Sequence, residues 1–225
     1  MSHLPANVLA LACAPNMAFE PPPTPLRITG GQDSFVRRTY SPGDLLTINA
    51  GTDNGIEVGQ EYYVRRVQAA ERRPVTRANP ATIRTTGWIR VYAVDKQMSL
   101  ATVVHACDTI DVDDFLEPFV LPRGPAAADT AGVKPQRENY GRIVLGTDRR
   151  RSFGKGDFFI VDRGSDHGVS VGARFVVYHD KQLAQNFLYD LGEAIAVDVR
   201  PETSTLQVLV SRDAFRAGDY VAIRK

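Results

Sequence analysis

Apolar and polar residues alternate with a period of two along most of the chain. Four short runs show this most clearly, at Leu45–Ile48, Tyr62–Val64, Trp88–Val94 and Leu100–Val104. They are rich in β-branched and aromatic residues and are bounded by Gly, Asp and Asn, which is typical of β-strands. No segment carries a convincing helical period. The pattern therefore predicts an all-β fold made of small, mostly antiparallel barrels or sandwiches.

An internal repeat organises these strands into two copies. Residues 43–64 (GDLLTINAGTDNGIEVGQEYYV) match residues 156–177 (GDFFIVDRGSDHGVSVGARFVV) at a constant offset of 113. Residues 87–116 match residues 192–221 at an offset of 105, so the first copy carries eight extra residues between the two blocks. Because the match keeps the apolar alternation as well as the glycines, it predicts two repeated β-units.

The repeat divides the chain into four parts. Residues 1–24 form an N-terminal arm, or the remnant of a signal and lipoprotein spacer, and residues 25–120 form the first β-unit. Residues 121–139 are rich in Pro, Ala and Gly and are interpreted as a linker. Residues 140–225 form the second β-unit.

Glycines at matched places in the two copies predict tight turns. Gly55 and Gly168 each follow two polar residues, where the chain needs a positive φ that glycine adopts without steric cost. Gly59 and Gly172 stand at the turn that leads into the next strand. We interpret all four as structural turn residues.

Composition and charge exclude several classes of protein. The chain has 225 residues, of which 43% are hydrophobic, and 27 basic residues nearly balance 26 acidic ones. This is ordinary globular composition rather than that of a disordered chain, and it argues against a dedicated nucleic-acid binder. No apolar run approaches the ~18–20 residues of a membrane-spanning helix.

The N-terminus bears on the cellular compartment. Val8–Cys13 resembles the end of a bacterial lipoprotein signal, although the basic residues of such a signal are missing, and residues 20–25 form a proline-rich spacer. Cys13 is then a candidate for lipidation. Alternatively, Cys13 forms a disulfide with Cys107 in an exported chain, or the segment is simply a locally packed arm. Lipidation and the disulfide exclude each other.

Residues that could carry chemistry have simpler structural interpretations. His167 stands in a turn where the first copy has Asn54, and His105 with Cys107 on one strand lacks further metal ligands. The sequence therefore predicts neither an enzyme nor a cofactor. An acidic cluster without calcium-loop spacing is interpreted as a solvated loop. It comprises Asp108, Asp111, Asp113 and Asp114.

The eight-residue insertion lies in an arginine-rich stretch of the first copy, around residues 68–84. Because insertions are tolerated at exposed edges, we expect it to lengthen one hairpin. It is our candidate for a partner contact that the second copy cannot make. The contact would use Arg72, Arg73, Arg77 and Arg84.

The motifs of the second copy resemble a known bacterial module. Gly156-Asp157, Gly164–Val169, Gly172 and Phe175–Tyr178, followed by a strand and a final Gly218-Asp219, are similar to the C-terminal domain of flagellar assembly protein T. That module also accompanies peptidoglycan-binding LysM domains. A weaker similarity is to the β-domains of the rod-shape-determining protein C. The first copy departs from the pattern at Asp113, where a glycine is expected.

The resemblance implies a non-catalytic binding or assembly role in the bacterial cell envelope, in the periplasm or lipid-anchored at the outer membrane. It implies partners among envelope proteins, such as a basal-body or secretion-type assembly, or further copies of the chain. Nucleic acid is not an expected partner, and contact with a membrane would be through an N-terminal lipid anchor. The alternative is a ligand-binding or metal-binding protein, or an enzyme, with a site between the two units where the acidic cluster and arginine runs converge.

Overall fold

A computed structural model describes residues 6–20, 22–23, 25–32, 37–68, 80–122, 140–146, 150–180 and 188–224. Its regular structure is almost entirely antiparallel β-sheet, which confirms the predicted all-β class. The chain divides into two compact units. The first unit is Ala18–Leu121, and the second unit consists of Met1–Met17 and Pro122–Lys225. The first 17 residues therefore group with the second unit.

One short helix near the N-terminus departs from the strand pattern. Helix α1 spans Ala6–Ala12 and is followed by strand β1 at Asn16–Ala18. A helix of seven residues is too short to show a helical period in the sequence, and its alanines and leucines are strong helix formers. Among the described residues, no helix has the length and apolar character needed to cross a membrane.

Within the described residues, the first unit contains eight strands, six of which pair side by side in the order β2-β4-β7-β6-β5-β9. A single bridge between Arg27 and Phe115 joins the two ends of this order. The strands are β2 Ile28–Gly31, β3 Thr39–Tyr40, β4 Leu45–Ile48, β5 Glu61–Gln68, β6 Ala81–Val94, β7 Ser99–Ala106, β8 Ile110–Asp111 and β9 Phe115–Pro118.

The second unit is a closed antiparallel barrel with the strand order β10-β12-β15-β14-β13-β17. Taken strand by strand along the chain, this order is the same as that of the first sheet. The strands are β10 Gly141–Gly146, β11 Ser152–Phe153, β12 Phe158–Val161, β13 Arg174–Asp180, β14 Leu188–Val199, β15 Ser204–Ser211, β16 Phe215–Arg216 and β17 Tyr220–Ile223.

Each unit encloses its own apolar core. Alternate side chains of the strands point inward, so Leu46 and Ile48 of β4 are fully buried while Leu45 and Thr47 are not. The core of the second unit is more aromatic, with Phe159 and Phe215 in edge-to-face contact at a ring-centre distance of 5.9 Å. Burying each such ring stabilises the fold by about 2 kcal/mol or more.

The four matched turn glycines all lie in the left-handed region of φ. Gly55 and Gly168, which end short 3-10 turns, have φ of 76° and 77°. Gly59 and Gly172 both have φ of 91°. Side chains other than glycine rarely adopt this conformation, so the backbone itself demands glycine at these positions.

Asn54 and His167 do the same work in the two 3-10 turns. The Oδ1 of Asn54 accepts a hydrogen bond from the backbone N–H of Gly51 at 3.4 Å. The Nδ1 of His167 accepts from the N–H of Gly164 at 3.2 Å. His167 is therefore a turn residue whose ring nitrogen closes the turn.

Asp113 is the only described non-glycine residue with a positive φ, at 73°. The second copy has Gly218 at the matched position, with φ of 97°. Replacing Asp113 with glycine should therefore stabilise the first unit by about 1 kcal/mol, because the left-handed backbone no longer opposes a Cβ atom. Urea denaturation followed by Trp88 fluorescence measures this change. A midpoint for Asp113→Gly at or below that of the parent chain would contradict the prediction.

Some sequence-based expectations fall on residues outside the described ranges. Arg72, Arg73 and Arg77 of the predicted partner contact lie there, as do residues 123–139 of the predicted linker. Strands β5 and β6, on either side of the insertion, pair antiparallel as far as Gln68 and Thr82.

Candidate functional site

A buried ion pair stands at the centre of the candidate site in the first unit. Asp114, immediately before β9, is only 3% exposed. Arg66 of β5 contacts both oxygens of this carboxylate through one edge of its guanidinium, with Nε 2.6 Å from Oδ1 and Nη2 2.8 Å from Oδ2. This two-pronged geometry is the strongest form of an arginine–carboxylate pair.

Further hydrogen bonds complete the surroundings of Asp114. Its Oδ2 also accepts from the hydroxyl of Thr86 and from the backbone N–H of Asp111, both at 3.0 Å. Arg66 in turn contacts the Asp111 carboxylate at 2.8 Å and donates to the carbonyl of Thr109 at 2.9 Å. The hydrogen bond to Asp114 raises the pKa of Arg66. These contacts tie the turn before β9 to strands β5 and β6.

A surface cavity of about 440 Å³ opens beside this ion pair. Its charged lining is balanced, because three arginines face three aspartates, and the charges of Arg66 and Asp114 already compensate each other. The charge pattern therefore favours neither an anion nor a cation. The lining residues are Pro22, Arg27, Arg65, Arg66, Val67, Asp111, Val112, Asp113, Asp114 and Phe115.

The interpretation of the acidic cluster as a solvated loop is wrong for Asp114 and incomplete for its neighbours. Asp114 is buried, and Asp111 is paired with Arg66. Asp108 forms an ion pair of 2.8 Å with Arg84, one of the predicted partner-contact residues. The Arg84 side chain is 29% exposed. Partners for these carboxylates come from β5 and β6, which are distant in sequence, and the local pattern gives no sign of them.

The second unit has a related pair at the matched positions. Asp219, 4% exposed, accepts the backbone N–H of Arg216 at 2.7 Å and lies 2.6 Å from the Nδ1 of His179. His179 stands 113 residues after Arg66, and Asp219 stands 105 residues after Asp114. In both units, therefore, a buried aspartate just before the last strand binds a basic side chain of the neighbouring strand, which is β5 in the first unit and β13 in the second. This repetition argues that the pair is part of the fold of each unit.

No protein-family model matches the chain, and the comparison with curated proteins gives no match. The resemblance to flagellar assembly protein T thus stays a prediction, and the role of the chain must be argued from its own contacts.

Both cysteines of the chain are oxidised. Cys13 is disulfide-bonded, Cys107 is disulfide-bonded, and the structure contains no free cysteine. A disulfide sulfur cannot act as a thiolate, so Cys107 in this state offers no metal ligand beside His105. A disulfide sulfur likewise cannot carry the thioether of a lipid anchor.

His105 gives the first unit a dependence on pH. Its ring lies 4.6 Å from that of the buried Trp88, and burial lowers the pKa of His105. The folded state therefore binds a proton less readily than the unfolded state. The first unit should therefore have its full free energy of unfolding above about pH 6.5 and should lose stability as the pH falls below that value.

His105→Gln removes this titration. Its melting temperature, followed by circular dichroism, should fall less than that of the parent chain between neutral pH and mildly acidic pH. The variant Gly154→Ala, which changes no titratable group and whose added Cβ meets no atom within 4 Å, serves as the control and should keep the parent's dependence. Equal acid sensitivity of the parent and His105→Gln would show that other groups are responsible.

The barrel of the second unit carries a group of tyrosines that the sequence pattern did not predict. The rings of Tyr140 and Tyr178 stack at 5.7 Å, and the ring of Tyr220 lies 6.0 Å from that of Tyr140. All three rings are partly exposed. Residues 140, 178 and 220 are far apart in sequence, and only the pairing of β10, β17 and β13 brings them together. Each tyrosine stands in a different strand pattern of the sequence, so the alternation of polar and apolar residues does not indicate that the three share a surface.

Proposed function

We propose that this chain is a non-catalytic binding or assembly protein of the bacterial cell envelope, in which two β-units dock onto a larger protein complex. The oxidised state of Cys13 and Cys107 carries the proposal. Disulfides persist in exported proteins and are rare in the reducing cytosol. Because a disulfide at Cys13 excludes a lipid on the same sulfur, it favours the periplasm over a lipid-anchored location.

The candidate site also supports a structural role over chemistry. The Asp114 carboxylate accepts hydrogen bonds from Arg66, Thr86 and a backbone N–H, so both of its oxygens already have partners within the fold. A general base or a metal ligand needs a lone pair that can reach a substrate or an ion. The pair at His179 and Asp219 repeats the arrangement in the second unit.

The mass of the intact protein from its native host tests the location. When the cells are fractionated, the chain should be recovered with the cell envelope. Its mass should rise by that of two hydrogen atoms upon reduction. An added mass the size of a lipid at Cys13 would show that the chain is lipid-anchored and that Cys13 is not disulfide-bonded. A cytosolic chain with two free thiols would overturn the proposal.

Crosslinking in intact cells tests the assembly role. We expect the chain to be crosslinked reproducibly to one or a few defined envelope proteins. When the second unit is deleted, these crosslinks should disappear. Products that are unchanged by this deletion would argue against docking through the β-units.

A further inference from the structure

We propose that the tyrosine cluster of the second barrel, formed by Tyr140, Tyr178 and Tyr220 together with Arg142, is a docking surface for an acidic, extended segment of a partner polypeptide. The inference rests on the proposed function, because it names the surface through which the chain would reach its partner.

The barrel places these side chains in one row. Arg142 of β10 is paired with Tyr220 of β17, and Tyr220 is paired in turn with Tyr178 of β13. The sequence neighbours of Tyr220 and Tyr178 on these strands, Val221 and Val177, are completely buried. Since side chains alternate between the two faces of a strand, the row lies on the outer face of the barrel.

Arg142 is held in place by the row. Its guanidinium carbon lies 4.1 Å from the ring centre of Tyr220, and its Nη2 donates to the Tyr220 hydroxyl at 2.6 Å. Its Nη1 donates to the carbonyl of Gly218 at 3.0 Å. These contacts fix the plane of the guanidinium in advance, which lowers the entropy that binding would otherwise cost.

Arg142 also differs from the arginines around it in its charge partner. Arg212 pairs with Asp190, and Arg224 pairs with Glu193, each at 2.6 Å. The guanidinium of Arg142, an exposed residue, makes no ion pair with a carboxylate among the residues that the structure describes. The carboxylate of Asp162 accepts the backbone N–H of Arg142 at 2.6 Å. A positive charge that is held in place, exposed and without an ion pair among the described residues is complementary to a carboxylate from outside the chain.

The rings supply the rest of the contact. Tyrosine and arginine, with tryptophan, are enriched among the residues that dominate the energy of protein interfaces. Tyrosine buries a large area with only two rotatable side-chain bonds. The hydroxyls of Tyr140 and Tyr178 make no hydrogen bond within the described part of the chain and are not fully buried, so they can bond to a partner's backbone. Aromatic surfaces of this kind accept extended, proline-containing segments.

The matched row of the first unit presents no exposed aromatic ring. By the offsets of the repeat, Phe115 stands in the place of Tyr220, and Arg65 stands in the place of Tyr178. Phe115 is 2% exposed and Arg65 is 7% exposed. The docking surface is thus a property of the second unit alone.

Fluorescence anisotropy with a defined probe tests the proposal on the full-length chain. The probe is a short fluorescein-labelled peptide that alternates glutamate and proline, which cannot add as a strand to a sheet. Its counterpart has glutamine in place of glutamate. We expect saturable binding of the acidic probe that weakens with salt, and affinity for the glutamine probe that is lower by at least about tenfold.

Variants locate the binding. Arg142→Gln and Tyr178→Ala should each lower the affinity for the acidic probe by about tenfold or more, whereas Tyr178→Phe should lower it only slightly. Arg90→Gln removes an exposed arginine of the first unit that is already paired with Glu61, and should leave the affinity unchanged. Arg142→Lys keeps the charge but loses the planar fork, so it should show an intermediate loss. Circular dichroism establishes that each variant is folded.

Three outcomes would overturn the inference. They are equal affinity for the two probes, an unchanged affinity of folded Arg142→Gln, and binding to anionic lipid vesicles in the absence of peptide binding. These results are independent of the cellular location, so the docking surface can fail while the proposed envelope function stands. The reverse also holds, because a cytosolic chain could still bind the acidic probe.

Discussion

Gly164→Ala should destabilise the second unit by about 3 kcal/mol or more. The added Cβ would lie 2.1 Å from the carbonyl oxygen of Arg200 and 2.4 Å from that of Pro201. Both are backbone atoms of the loop between β14 and β15. Neither can rotate away as a side chain can, so the loop or the turn must move. The φ of Gly164 is −135°, an extended conformation open to any residue, which leaves the close approach as the cause.

Hydrogen bonds of the same turn hold this approach in place. The N–H of Ser165 donates to the carbonyl of Arg200 at 2.9 Å, and the N–H of Asp166 donates to that of Pro201 at 3.0 Å. Relieving the clash therefore breaks both bonds, at about 1 kcal/mol each. The first unit has the same arrangement, since a Cβ on Gly51 would lie 2.0 Å from the carbonyl oxygen of Asp95.

Gly154→Ala is the matched control within the second unit. A Cβ at Gly154 would meet nothing within 4 Å, and its φ lies outside the left-handed region. Its free energy of unfolding in urea, followed by circular dichroism, should change by less than about 0.5 kcal/mol or rise slightly. If Gly164→Ala and Gly154→Ala were equally stable, the contact between the 3-10 turn and the loop would not constrain the barrel.

Arg66→Gln should lower the stability of the first unit by about 3 kcal/mol. The Asp114 carboxylate, 3% exposed, would keep only the Thr86 hydroxyl and the Asp111 N–H as partners. Most of the expected loss is the cost of leaving a charge buried without its counterion. Trp88 lies in the same unit and reports its unfolding by fluorescence.

Arg90→Gln controls for the loss of an arginine as such. Arg90 of β6 also makes two short contacts with one carboxylate, that of Glu61, but its side chain is 54% exposed. Exposed pairs contribute about 0–1 kcal/mol because water solvates both charges after the pair is broken. Comparable losses in the two variants would show that burial of Asp114 is not what makes its ion pair matter.

The fold was more accessible to sequence reasoning than the sites were. Period-two runs predicted strands that the structure has, from β4 at Leu45–Ile48 to β7 at Ser99–Ala106. This works because burial on one face of a strand acts locally and leaves a local pattern. Helix α1 was not predicted, since seven residues make too few turns to reveal a period.

The contacts of the acidic cluster depend on strand pairing, which a single sequence does not encode locally. Asp114 is 48 residues from Arg66 and 28 from Thr86, yet all three meet in one buried network. The offsets of 113 and 105 did contain one usable signal, because they align Arg66 with His179 and Asp114 with Asp219. A basic residue and an aspartate recurring together in both copies indicate a paired role rather than a solvated loop.

Closure of the second barrel limits how another protein can attach to it. Strands β10 and β17 pair with each other, so every strand of the closed sheet has a neighbour on both sides. An open sheet offers a row of free N–H and C=O groups on which a foreign strand can assemble, in specific binding and in aggregation alike. Among the described residues, the closed sheet offers no such row, which protects it against fibril growth. A partner that binds this sheet must therefore be selected by side chains rather than by main-chain hydrogen bonding, and its specificity can change through single surface substitutions.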